Sequence, residues 1–414
     1  MNKLNTLIQD REAEKVDINA LCYGLVSVFL SGIGFTIIAP VLPFLVKPYV
    51  ESNSEQAIII ALLMSVYAFC VFLAAPGLGA LSDQYGRKPL LLICFLGSAI
   101  GYFMMGIGGA LWVLFLGRAV DGITGGNISI IFAYFSDITP ENQRTKYFGW
   151  LSAVSGVGVI IGPVIGGLLS KFGYTMPFYF GAGLTMMNVL YGCLFMPESH
   201  KKDQRRRLSG ISHLNPLKQL KGLFKIKSIK RYLVAAFLLW IPNGALQAIF
   251  SQFTIDTFSW SPVAIGGIFS IMGIQDIVSQ GLIMPKLLNR LNDSQIVVLG
   301  MVAEMVGYLL ITLSGILSIS SCFIAAMFVF GFGDAIFGPA FNSMLSKPVE
   351  SQNQGQVMGG AMSLQALARI IGPIVGGQLY VTVGHLSPAF MGAILIAIAI
   401  FVLYKEAQKN VMRI

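Results

Sequence analysis

Six ionisable residues stand inside stretches that are otherwise apolar: Arg118, Asp121, Asp276, Glu304, Asp334 and Arg369. A charge in mid-bilayer costs at least a few kcal/mol, so such residues face a bundle interior or an aqueous cavity and mark a path for protons, ions or substrate. Arg118 and Asp121 are three positions apart, on one helical face, and able to meet. A carboxylate cut off from water holds a proton more readily, which is the property a proton carrier needs. Asp276 has Gln275 and Gln280 beside it and no base within a helical turn. It is therefore read as the first proton carrier and Glu304 as the second, with Arg118 and Asp121 as their electrostatic counterpart and Asp334 as a further coupling candidate. Each also has a structural reading: Arg118 as a strut bonded to carbonyls, Asp276 as a fixed partner of Arg369 or Arg118, Glu304 and Asp334 as packing residues. Asp334 precedes Gly338 and Pro339, where a helix break could expose carbonyls.

Neutral hydrogen-bonding groups accompany these charges. Asn243 and Gln247 lie four apart beside Pro242 and Gly244, and with Ser31, Asn127 and Gln275 they are candidates to line a substrate cavity. Few polar groups among many aromatic ones suit an amphipathic organic molecule better than a sugar. The competing reading places the aromatic residues against lipid or core.

The elements that must position these residues follow from composition. The chain of 414 residues is 55% hydrophobic and 11% charged, with mean hydropathy +0.74, against about 25% charged in an average soluble domain. Twelve apolar stretches, each long enough to cross roughly 30 Å of hydrocarbon, are predicted at 18–46, 57–81, 89–109, 111–135, 147–170, 177–196, 231–253, 263–286, 295–315, 318–341, 357–381 and 388–404. The expected architecture is an all-α membrane protein of twelve transmembrane helices in two pseudo-symmetric six-helix bundles, 18–196 and 231–404. A cytoplasmic segment (1–17), a basic linker (197–230) and a tail (405–414) complete it.

The net charge of +9 does not point to nucleic acid, because its placement is one-sided. Lys201, Lys202, Arg205, Arg206, Arg207, Lys218, Lys221, Lys225, Lys227, Lys230 and Arg231 fall between spans six and seven, and most other basic loop residues lie in alternate connections or the tail. The positive-inside rule then puts both termini and this linker in the cytoplasm. Cys22, Cys70, Cys94, Cys193 and Cys322 all lie in spans, which argues against a disulfide framework. Three histidines without metal spacing and the absence of a phosphate-binding Gly-x4-Gly-Lys-Ser/Thr motif leave no metal, no cofactor, no ATP engine and no enzyme constellation to expect.

One stretch is written twice. Of Gly158, Gly162, Pro163, Gly166 and Gly167, the last four recur as Gly372, Pro373, Gly376 and Gly377, 210 positions on. Small residues every fourth position let two helices approach closely in lipid, and the proline frees a backbone carbonyl that a neighbour must satisfy. A second signature, Gly79, Asp83, Gly86, Arg87 and Lys88, turns the chain after span two, with a weaker counterpart at Asn289, Arg290 and Asn292.

Together with Pro40, Pro43, Gly122, Gly125 and Arg144, these residues resemble the major facilitator superfamily, and within it the twelve-span drug/proton antiporters, most like the tetracycline efflux proteins. The resemblance covers essentially the whole chain. It implies that Gly79, Asp83, Gly86, Arg87 and Lys88 form a cytoplasmic latch between halves. It further implies that Arg118 is the span-four arginine of the family, and that Gly158 to Gly167 is the antiporter motif. Gln84 replaces that loop's usual first arginine. Ser31, Asp276 and Glu304 stand where Gram-negative tetracycline exporters carry an acid, a histidine and an aspartate, which loosens tetracycline as the substrate. The expected function is a monomeric, proton-coupled antiporter in a bacterial inner membrane that exports amphipathic drugs by alternating access. The alternatives are a dedicated exporter or symporter of one metabolite such as a siderophore, and a non-transporting receptor or assembly subunit.

Overall fold

A computed structural model describes residues 18–140, 143–200, 229–347 and 354–411. The N-terminal segment and nearly all of the basic linker fall outside these residues. Fifteen α-helices follow one another, with no strand among the described residues: α1 Ile18–Ile37, α2 Leu42–Val46, α3 Asn53–Tyr85, α4 Arg87–Ile107, α5 Leu111–Thr124, α6 Asn127–Ile138, α7 Arg144–Leu169, α8 Met176–Phe195, α9 Lys230–Phe258, α10 Pro262–Val278, α11 Met284–Leu288, α12 Asp293–Leu317, α13 Ser320–Ser346, α14 Gln354–Thr382 and α15 Ser387–Val411.

Ten helical stretches among the described residues are long and apolar enough to cross a bilayer. The chain is an all-α membrane protein. The two expected spans outside that set are the fourth and the twelfth. Span four is split into α5 and α6 at Gly125 and Gly126. Span twelve presents a shorter apolar run, Ser387–Leu403.

The apolar stretch of span one, 18–46, is closed as a helix at its two prolines, Pro40 and Pro43. Its helix stops at Ile37, and a turn carrying Pro40 leads into α2, where Pro43 occupies the first turn, the one place in a helix that tolerates proline. The break considered near Asp334 and Pro339 is absent, because α13 runs through Pro339 as one helix. Span eight instead carries a π turn, Ser279–Ile283, between α10 and α11.

The halves mirror one another in packing. In the first, α1 lies on α7, and in the second α9 lies on α14; α3 meets α14, and α7 meets α10, across the divide. Several hydrogen bonds cross that divide toward the end where α1 finishes and α3 starts, termed here the distal end. Asn53 Nδ2 donates to Asp256 at 3.1 Å, Ser251 to the Ala39 carbonyl at 2.8 Å, and Ser65 to the Ile370 carbonyl at 3.0 Å. Toward the opposite, proximal end, a Cβ placed on Gly79, Gly149, Gly156, Gly281 or Gly359 would meet no atom within 4 Å. Among the described residues, these hydrogen bonds join the halves toward the distal end, and open space surrounds these proximal glycines.

Candidate functional site

Two glycine-lined seams set the geometry. A Cβ on Gly158, Gly162 or Gly166 of α7 would run into the backbone of α1 at Phe29, Ile33 and Ile37, and one on Gly372 into the α9 carbonyl of Ile241. Gly376 faces Ala245 on the same helix. The next glycine of each motif turns to the other half: Gly167 meets Pro262 and Val263, and Gly377 meets Ala61. Pro163 cannot bond the Val159 carbonyl, and the Thr36 hydroxyl from α1 donates to that oxygen at 3.2 Å. Three residues before each seam proline, a serine of the opposite half caps a carbonyl, Ser270 on Ile160 and Ser65 on Ile370.

In the first half, Arg118 Nη1 stands 3.5 Å from Asp121 Oδ2, with both side chains only 5% and 4% exposed. The guanidinium lies 4.5 Å from the centre of the Tyr67 ring and donates to Met64 Sδ at 3.2 Å. Gly122, Gly125 and Gly126 let this part of the fourth span approach α3, where added side chains would overlap Tyr67, Cys70 and Ala75. The break after Gly125 starts α6 at Asn127, which shares a small cavity of about 60 Å³ with Ser31, Tyr67 and Asp121. Ser31 there donates to its own helix, at the Ser27 carbonyl.

The second half holds the larger cavity, about 250 Å³, lined among others by Asn243, Gln247, Asp334 and Arg369 with Trp240 and Phe330. Behind it, Asn243 Nδ2 donates to Glu304 Oε2 at 3.0 Å and to Asp334 Oδ1 at 3.3 Å, while its Oδ1 accepts from the Tyr308 hydroxyl at 2.9 Å. Glu304 is completely buried, and its second oxygen has no hydrogen-bond partner. Gly300, Gly307 and Gly333 bring α12 and α13 into backbone contact there. No cation pairs with Glu304 or Asp334 among the described residues. The structure thus joins Asn243, Glu304 and Asp334 into one unit.

It does not bring Asp276 into it. That residue lies on the exposed side of α10 and accepts from Gln280 at 2.9 Å, although its charge acts on Asp334. Neither Arg118 nor Arg369 pairs with it. Gln275, expected in the cavity, donates instead to the Phe328 carbonyl of α13.

At the proximal end, Arg87 binds Asp83, Ser82 and, at 3.0 Å, Asp137, while its backbone N–H donates to Glu198 at 2.9 Å. Lys88 donates its N–H to the same carboxylate and its Nζ to the Cys193 carbonyl. Glu198 thus caps the positive start of α4, beside which Gly86 adopts φ 106°. None of these partners lies in the second half, so among the described residues the loop fastens its own bundle. Gly79 supplies a carbonyl to Ser82, and Arg144 opens α7.

The sequence reading missed Asp137, Glu198, Tyr308 and Asp256. Repeat offsets could have exposed one relation: Arg87 and Asp137 correspond, 206 and 210 positions on, to Asp293 and Lys347, which pair with the charges exchanged. Asp256 accepts from Asn53, Gln252 and, at 2.6 Å, Tyr380, and no local pattern marks such a convergence.

This fold, with two seams and charged groups gathered around membrane-embedded cavities, is that of a membrane transporter. The family model described as Major Facilitator Superfamily matches residues 24–373 and 232–411, and the chain belongs to that superfamily. It is 34% identical over 364 residues to the tetracycline resistance protein, class C, of Escherichia coli, covering 87% of this chain and 90% of that protein. The class H protein of Pasteurella multocida is 33% identical over 92% of this chain and 94% of its own length, and multidrug resistance protein 2 of Bacillus subtilis 27% identical over 93% and 95%. Among solved structures, a D-xylose-proton symporter aligns with TM-score 0.75 at 13% identity over 94% of this chain and 98% of its own. The human organic anion transporter MFSD10 aligns with TM-score 0.69 at 21% identity over 93% and 99%.

Proposed function

We propose that this chain is a proton-coupled antiporter that exports amphipathic drugs by alternating access. The observation that carries the reading is Asn243 held between two carboxylates, Glu304 and Asp334, in a membrane cavity without a paired cation. A group that takes a proton from one side, gives it up on the other and competes with substrate must be reachable from a cavity and uncommitted to a fixed ion pair. Asp334 is reachable and Glu304 lies one hydrogen-bonded step behind it. Asp276 is then a neighbour that modulates Asp334, and Arg118 with Asp121 is a closed pair that fixes the fourth span against Tyr67. Transport similarity to resistance proteins for tetracycline and multiple drugs supports export over import.

Residues 18–196 and 231–404 act as two bodies rocking about the cavity, as parallel-repeat transporters do. Closed distal contacts and open proximal glycines fit a state opening toward the basic loops, which the positive-inside rule assigns to the cytoplasm of a bacterial inner membrane, with both termini on that side and one chain sufficient.

The test is reconstitution in proteoliposomes with an imposed pH gradient and a pH-sensitive dye inside. Wild type is expected to move protons when a quinolone or tetracycline is added; Glu304→Gln and Asp334→Asn are expected to lose that movement. Normal proton movement in both variants overturns the assignment.

A further inference from the structure

We propose that Arg369 is the receptor for an acidic group on the transported molecule, so that this chain takes amphiphiles pairing an aromatic body with a carboxylate or a comparable anion. The inference rests on reading the larger cavity as the substrate site.

Arg369 is carried into that cavity by α14, just before the seam at Gly372 and Pro373. It is the one basic side chain lining either cavity among the described residues. Arg118, by contrast, is 4% exposed and paired to Asp121, out of a ligand's reach. Arg369 remains accessible within the cavity, yet it forms no hydrogen bond or ion pair among the described residues. Asp334 lines the same cavity without a hydrogen bond to Arg369.

A guanidinium that faces a cavity without a bonded partner keeps its donors available to an incoming anion. Its planar fork of five donors fits a carboxylate in two parallel hydrogen bonds, a geometry a lysine does not offer. Gln365 precedes it by one helical turn on the same face, and Gln247 joins from α9, so amide donors flank the fork. Trp240 and Phe330 give the same cavity flat apolar walls for rings. A basic group on the same ligand has Asp334 to meet, where it competes with the proton.

The experiment uses purified full-length protein and two probes differing only in the acid, a fluoroquinolone and its ethyl ester, with binding measured by calorimetry. Wild type is expected to bind the acid about tenfold or more tighter than the ester, the factor a charge-assisted hydrogen bond supplies. Arg369→Gln is expected to abolish that preference while leaving the ester within about twofold, and Arg369→Lys to keep part of it. Gln365→Leu, expected to weaken the acid alone, carries the test if Arg369→Gln does not fold. Equal affinity for acid and ester in wild type, or binding of neither, overturns the proposal. So does recovery of the preference in Asp334→Asn/Arg369→Gln, which would make Arg369 a counter-charge only. Selective acid binding without proton-driven movement of either probe in vesicles would instead overturn the exporter reading and leave the receptor standing.

Discussion

Asn243 and Glu304, one from α9 and one from α12, are joined by a 3.0 Å hydrogen bond behind the larger cavity, and the same amide nitrogen reaches Asp334 on α13. A single neutral side chain therefore links a hidden carboxylate to one that lines the cavity. Asn243→Ala is expected to leave both carboxylates without their shared donor and to lower proton-driven transport roughly tenfold, equivalent to about 1.4 kcal/mol in the coupled step. Dye-monitored transport across a pH gradient measures it. Unchanged rates would remove Asn243 from the path.

Tyr308→Phe removes the donor that orients Asn243 without altering ring packing against Phe330. The expected result is a smaller loss than for Asn243→Ala and a shift in the pH at which transport is half-maximal. A pH profile identical to wild type would mean that the amide keeps its orientation unaided.

The seams make a steric prediction. Gly162→Val, Gly166→Val and Gly372→Val each push a branched side chain into the backbone of the facing helix, and overpacking of this kind costs about 1–3 kcal/mol. Membrane insertion is expected to persist while transport falls. Gly79→Val, placed where the surroundings are open in this state, is expected to leave thermal stability unchanged and to impair only the state in which the proximal ends close. Equal loss of stability at Gly79 and Gly166 would contradict the assignment of the two ends.

Asn53 and Asp256 meet across the distal divide. A cysteine pair at these positions, in a background without the five native cysteines, is expected to cross-link readily and to arrest transport until reduced. Mass spectrometry detects the bridge. A cross-linked protein that transports at full rate would show that the distal contact need not open.

The two proximal charge pairs are expected to differ in kind. Asp293 sits at the start of α12 and Lys347 at the end of α13, each favoured by its helix dipole, and Lys347 is 69% exposed. Lys347→Met should cost under about 1 kcal/mol and leave transport intact. Arg87 stands at the positive start of α4 and depends on Asp83, Asp137 and Glu198 to remain there. Asp137→Asn is expected to slow turnover more than it alters apparent substrate affinity, and the Arg87→Asp/Asp137→Arg exchange to restore part of the rate. Steady-state kinetics in vesicles distinguishes these outcomes.

Long apolar runs, the one-sided basic loops and the doubled glycine-proline motif were enough to specify a helical membrane protein with two related halves, because hydrophobic length and small-residue spacing are local properties that lipid reads directly. The same locality revealed Arg118 with Asp121, whose separation of three positions is itself the contact. Sequence also identified Asn243, Glu304 and Asp334 singly. Their union required tertiary structure, since they come from three helices, up to 91 positions apart, that meet only because Gly300, Gly307 and Gly333 remove the side chains between α12 and α13. Asp276 ranked first in the sequence because nothing near it in the chain could neutralise it, but packing turned its side of α10 away from the cavity lining. Span four was read as continuous because its hydropathy is continuous; the turn at Gly125 and Gly126 arises from close approach to α3, a contact with residues some 50 positions earlier. Glu198 shows the same division: as one acid after an apolar run it carries no signal, and only the fold sets it on the first N–H groups of α4, whose positive end gives its charge a purpose.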